Sequence, residues 1–193
     1  ITGASLFTLA ALAEKALLRV TADGHYQLHE LTRQYAAEQL SNCANVVLGD
    51  AHAHYYAGLL VQAQAHLFTA TYRQAWATVG GELDNIRHAW QWLINAAGAG
   101  RNDLPVTTLL RQMTEVLTYY HLFHSLWLSG QVLFEQAYQV LEAAGWANHN
   151  DGPAGPDSRR ATLLRLQLSA GQFQLEMGRH RATLVLAEQT LAA

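Results

Sequence analysis

The stretch from Arg159 to Met177 carries two apolar rows where an ordinary surface helix carries one. Leu164, Leu168, Gly171 and Leu175 make one row; Leu163, Leu166, Ala170, Phe173 and Met177 make the other. At helical spacing this pattern predicts a helix that must be covered on two sides. An inner helix in a stack of helical hairpins meets that condition, and a lone surface helix does not. Gly178-Arg179-His180 breaks the pattern, and Leu184, Ala187 and Leu191 predict the start of an antiparallel partner.

The rest of the chain supplies material for such a stack. Val106, Leu109, Leu110, Met113, Val116, Leu117 and Tyr120 alternate at threes and fours, and Pro105 suits a first helical turn. A turn near His121–His124 leads to a partner helix with Leu126, Leu133, Phe134, Ala137, Val140 and Leu141. Upstream, an Ala-rich helix is predicted over 45–68 with Tyr55, Tyr56, Leu59, Leu60 and Leu67. A second is predicted over 72–97, broken or kinked at Gly80-Gly81, with Leu83, Ile86, Trp90 and Leu93 on one face. Residues 98–103 and 146–158 read as loops. Half the residues are apolar and 14% charged, enough for a sizeable core and far from a disordered composition.

The N-terminal segment reads differently. A short apolar helix over Ser5–Glu14 precedes a strand around Leu17–Val20. Asp23-Gly24 signals a hairpin, Tyr26–Leu28 supplies the return strand, and a helix over about His29–Leu40 follows with Leu31 and Tyr35 on one face. Helix, strand, turn, strand and helix make the second half of a winged-helix unit. The expected fold is therefore mostly α: a partial winged helix with a small β-hairpin at 1–44, a helical linker at 45–98, and antiparallel helical hairpins at 99–193. The chain begins at Ile1 without a methionine and stops at Ala193 inside a helical pattern, which suggests a fragment of a longer protein.

The hairpins at 105–144 and 159–193 resemble tetratricopeptide-type repeats. Gly171 and Gly178 stand seven apart, as the close-packing and turn glycines of that repeat do, whereas Thr183 and His180 replace its usual alanine and aromatic. In order, the whole chain resembles bacterial STAND-class regulators, in which an NB-ARC-type ATPase is followed by a winged helix and helical repeats. The resemblance rests on Leu17-Leu18, Tyr26-Gln27-Leu28-His29-Glu30-Leu31, Arg33-Gln34-Tyr35-Ala36-Ala37-Glu38, the His52-His54-Tyr55-Tyr56 helix, Glu82-Leu83-Asp84-Asn85-Ile86-Arg87 and the later hairpins. It implies that Leu28-His29-Glu30 takes the place of a methionine-histidine-aspartate motif. His29 of the intact protein would then touch the β-phosphate of ADP and hold a switch off. It further implies ATP or ADP as cofactor of the full-length protein, an upstream ATPase domain in cis, and a protein partner or small-molecule inducer on the repeats; the lone Cys43 fits a reducing, cytoplasmic setting.

Other chemistries find little support. Lys15, the only lysine, follows no glycine-rich loop, so no phosphate-binding loop is present and no ATP hydrolysis is expected of this chain. Residues 1–45 carry three basic against four acidic side chains, which argues against DNA contact by the winged helix. His52 and His54 point to opposite sides of a helix, and His121 with His124 lacks a third ligand nearby, so the ten histidines read as surface or packing residues. Cys43 alone can form neither an internal disulfide nor a cysteine zinc site. No nucleophile stands with His29 and Glu30 to make a catalytic set. Trp76, Trp90, Trp92, Trp127, Tyr119 and Tyr120 are expected in the core or between helices.

Overall fold

The structure is a computed structural model, and it describes residues 3–21, 24, 26–39, 42–101, 103–149, 155–180 and 183, with the side chains of 37 and 42–44 left aside. The chain is mostly helical with one small antiparallel sheet. It divides into two compact units, Ile1–His52 and Ala53–Ala193, and the division falls within one helix. Among the described residues no helix is long and apolar enough to cross a membrane.

In the first unit, α1 (Leu6–Glu14) starts at Ser5, whose Oγ accepts the Thr8 N–H at 3.1 Å. This satisfies one of the orphan donors of the first turn. Its C-terminal end is closed by Ala16 at a φ of +55°, a left-handed position held by a non-glycine residue. The Leu17 N–H then reaches back to the Leu12 carbonyl at 3.0 Å and turns the chain into β1 (Leu18–Val20). β1 pairs with β2 (Tyr26–Leu28) in the register Leu18↔Leu28, Arg19↔Gln27, Val20↔Tyr26. The connection is longer than a two-residue hairpin turn. The Gly24 N–H donates to the Thr21 carbonyl at 3.0 Å with Gly24 at a φ of +83°, while Asp23 lies outside the described residues. α2 (Glu30–Gln39) and the start of α3 (Asn42–Gln64) complete the unit. None of its described side chains is buried, and Leu31 and Tyr35 of α2 are both exposed.

The second unit contains the core. After α3 come α4 (Tyr72–Gly81), α5 (Leu83–Gly98), α6 (Val106–Phe123), α7 (Trp127–Ala143), a 3₁₀ turn at Trp146–Asn148, and α8 (Arg159–Glu176). α6 packs on α5, α7 and α8, and α7 lies along α8. A spine of rings runs through the unit: Trp90 of α5 meets Phe134 of α7 edge-on at 5.5 Å, and Phe134 stacks on Phe173 of α8 at 6.0 Å. α7 can approach α8 this closely because Gly130 has no side chain. A Cβ there would stand 2.6 Å from the Phe173 ring, inside any tolerable contact.

Several boundaries differ from the sequence reading. The helix expected over 45–68 ends at Gln64, because Thr69 and Thr71 turn the chain with their hydroxyls: Thr69 Oγ1 donates to the His66 carbonyl at 2.9 Å and accepts the Thr71 N–H at 3.3 Å. Gly80-Gly81 marks a real break between α4 and α5 at Glu82. Pro105 caps α6 from outside the helix, its carbonyl accepting the Leu109 N–H at 3.1 Å. His121 does not lie in a turn. α6 continues to Phe123, and Ser125 at a φ of +55° makes the reversal with no glycine to announce it. Trp146, expected in a surface loop, is buried, with the Arg159 guanidinium 5.6 Å above its ring.

Among the described residues one row of α8 is covered more fully than the other, in which Gly171 is buried and Leu164 half-buried. Leu163, Leu166, Ala170 and Phe173 are buried, whereas Leu168 is 61% and Leu175 45% exposed. The partner expected at Leu184, Ala187 and Leu191 lies outside the described residues. Gly178 ends α8 as the sequence predicts: it takes a φ of +73°, its N–H donates to the Leu175 carbonyl at 2.9 Å, and the Arg179 N–H reaches the Gln174 carbonyl at 2.8 Å. That is the paired-bond helix stop for which glycine is preferred.

Candidate functional site

His29 sits where β2 becomes α2, and the local chain fixes it there. Its carbonyl accepts the Arg33 N–H at 2.9 Å, the first bond of the helix, and its Nδ1 accepts the Leu31 N–H over a long 3.4 Å. His29 is therefore the N-cap of α2, with an exposed ring. With Nδ1 accepting, the neutral ring carries its proton on Nε2, the kind of donor an anionic oxygen requires.

Glu30 is occupied elsewhere. Arg33 donates Nε to Oε2 at 2.9 Å and Nη2 to Oε1 at 2.7 Å, and Gln34 Nε2 adds a bond to Oε1 at 2.8 Å. These bonds, Arg33 first, hold the Glu30 carboxyl down at about 2. The same pairing raises Arg33. Glu30 is thus a fixed carboxylate at neutral pH, engaged with its own helix rather than paired with His29 as an acid or base.

A cleft of about 720 Å³ opens beside this joint, lined among others by Leu17, Leu18, Val20, Leu28, Arg19 and His29. Its lining also includes Glu30 and Gln27, and among the described residues no hydroxyl, thiol or amine. An apolar floor with one imidazole and one guanidinium can hold an anionic group, while the Glu30 carboxylate at its edge is neutralised by Arg33.

The second unit holds features that residue spacing did not reveal. A smaller cleft of about 360 Å³ between α3 and α4 is lined by Gln62, His66, Thr71, Gln74 and Thr78. Aromatic rings gather where α4 meets the end of α6: Phe68 lies 5.3 Å from Tyr119, and Trp76 lies 5.5 Å from Phe123 and 5.8 Å from Tyr120. Phe68 and Phe123 are well exposed there, whereas Trp76 and Tyr120 are buried. Between α7 and α8, Glu135 Oε1 accepts Gln131 Nε2 at 2.6 Å and Gln174 Nε2 at 2.9 Å, and Arg179 Nη1 donates to Gln131 Oε1 at 3.2 Å.

His121 is fully buried on α6, with Nδ1 bonded to the Leu117 carbonyl at 2.7 Å and Nε2 without a hydrogen-bond partner among the described residues. A carbonyl only accepts, so Nδ1 carries the proton and Nε2 is a bare buried lone pair, an omission that typically costs about 1–3 kcal/mol. Burial, the leading cause, pushes His121 below its ordinary value; the Leu117 carbonyl pushes it back up, and Arg87 and His124 push it down. The periodicity of α6 points to a core position at 121 only if the helix is known to continue past Tyr120. Among the described residues no group of three or more His, Cys, Asp or Glu side chains is placed to hold a metal ion. No protein-family model, curated protein or solved structure matches the chain.

Proposed function

We propose that this chain is the non-catalytic sensing region of a STAND-type signalling ATPase or transcriptional regulator. The first unit is the end of a winged helix that relays to a nucleotide switch, and α6 to α8 begin a tetratricopeptide-like array that receives a ligand or protein partner. The observation that carries this reading is His29: an exposed imidazole at the N-cap of a helix entered directly from a hairpin, beside a cleft with Arg19. Such a joint can present one donor to a phosphate while the backbone holds its position. The three residues between α6 and α7 make those helices a tight hairpin, the unit from which such arrays are built. Binding on the array would favour the domain arrangement in which His29 leaves the ADP phosphate, a shift between two populations.

The full-length protein tests this reading. It should contain a phosphate-binding loop upstream of Ile1 and release stoichiometric ADP on denaturation. A full-length protein with neither feature contradicts it. A second reading, a protein-docking scaffold without a switch, draws on the exposed Phe68 and Phe123 beside Trp76 and Tyr119, since clustered surface aromatics mark interaction sites. It would gain ground if the upstream sequence held no nucleotide-binding loop.

A further inference from the structure

We propose that His121 is an acid-released lock on the contact between α6 and α8, holding α8 down while its Nε2 is bare and freeing it when that nitrogen takes a proton. Three observations carry this. The ring is fully buried, its Nδ1 is already committed to Leu117, and among the described residues its Nε2 has no acceptor waiting for a second proton. A proton arriving from solvent adds to the Nε2 lone pair, breaks no bond, and leaves an imidazolium with one N–H unpaired in an apolar setting.

The surroundings oppose that charge. α8 meets the ring with Phe173, edge-on at 6.2 Å. α5 contributes Arg87, whose ion-pair partner Asp84 is 3.5 Å from the guanidinium and 91% exposed; α6 itself contributes His124. The carboxylate at the α7–α8 contact, Glu135, is engaged by Gln131 and Gln174. The Leu117 carbonyl on Nδ1 favours the cation, but burial outweighs it, and Arg87 and His124 both disfavour the charge. Relief comes by letting water reach Nε2, and the movable wall is α8, tied to α6 near this point by Phe173 and by the Thr118 to Ser169 hydroxyl bond at 3.0 Å. The sign follows: a histidine lowered on folding lets the unfolded or opened state bind the extra proton. The closed state is therefore fully stable above about pH 6.5 and weakens as pH falls below it.

The test combines a histidine NMR titration of the intact chain, native-state hydrogen exchange, and thermal midpoints at pH 7.5 and 5.5. His121 is expected to titrate below an ordinary histidine with its neutral-form proton on Nδ1, and α8 amides should lose protection before those of α5 as the pH drops. The midpoint should fall about 3–6 °C further in the native chain than in His121→Phe or His121→Gln, while His124→Gln keeps most of the native fall. An ordinary titration of His121 in the folded chain overturns the proposal. An equal fall in the His121 variants does so too, as does loss of protection that is uniform across α5 and α8. Should both variants fail to fold, the titration and exchange on the native chain decide alone.

Discussion

Glu30 lies at the surface, and yet Arg33 and Gln34 keep its carboxyl near 2. A group depressed on folding contributes stability that is present above its ordinary value of about 4.5 and is lost as pH falls toward 2. NMR titration should find Glu30 ionised down to about pH 2, and Arg33→Ala should return it toward the ordinary range. An unchanged titration in that variant would mean that the clasp does not cause the shift. Gly130 makes a second prediction at this scale. Because a Cβ would meet the Phe173 ring at 2.6 Å, Gly130→Ala should destabilise the chain by about 1–3 kcal/mol in urea unfolding. Adding Phe173→Leu should recover part of that loss. If the two substitutions instead add, the clash lies elsewhere.

The elements stop where local chemistry stops them, and this decides what could be read in advance. Gly178 announces the end of α8, and Gly80-Gly81 announces the break at Glu82; both were legible because glycine marks such positions. α6 runs on to Phe123 and reverses at Ser125, a left-handed residue with a Cβ and no sequence mark, so its last turn and the burial of His121 were hidden. α3 stops early through side-chain bonds of Thr69 and Thr71 that spacing does not encode. Trp146 is buried by Arg159 and α8, a partner thirteen positions away that loop composition cannot reveal. His29 was legible as a strand–helix joint, but the turning of Glu30 toward Arg33 was not, since rotamers decide it. Ser125→Gly should stabilise the chain by about 0.5–1 kcal/mol, because a left-handed φ is costly for a residue with a Cβ. A destabilised variant in urea unfolding would show that the serine side chain contributes more than its backbone strain costs.

At the scale of the whole molecule, every described buried side chain belongs to the second unit, from Ala53 to Gln174. Residues 42–193, which keep α3 whole, should unfold cooperatively in urea by far-UV circular dichroism. Residues 1–41 alone should show no cooperative transition, because their described part buries nothing. A sharp transition in the short fragment would contradict that division. The proposed role gives the two units different work: the second unit holds a core and presents binding surface, and the first carries the exposed His29 joint. ADP release from the full-length protein tests this most directly, with the native chain, His29→Ala and Glu30→Gln compared side by side. The account predicts release at least about tenfold faster in His29→Ala, equivalent to about 1.4 kcal/mol, with Glu30→Gln close to native. An unchanged release rate in His29→Ala would contradict it.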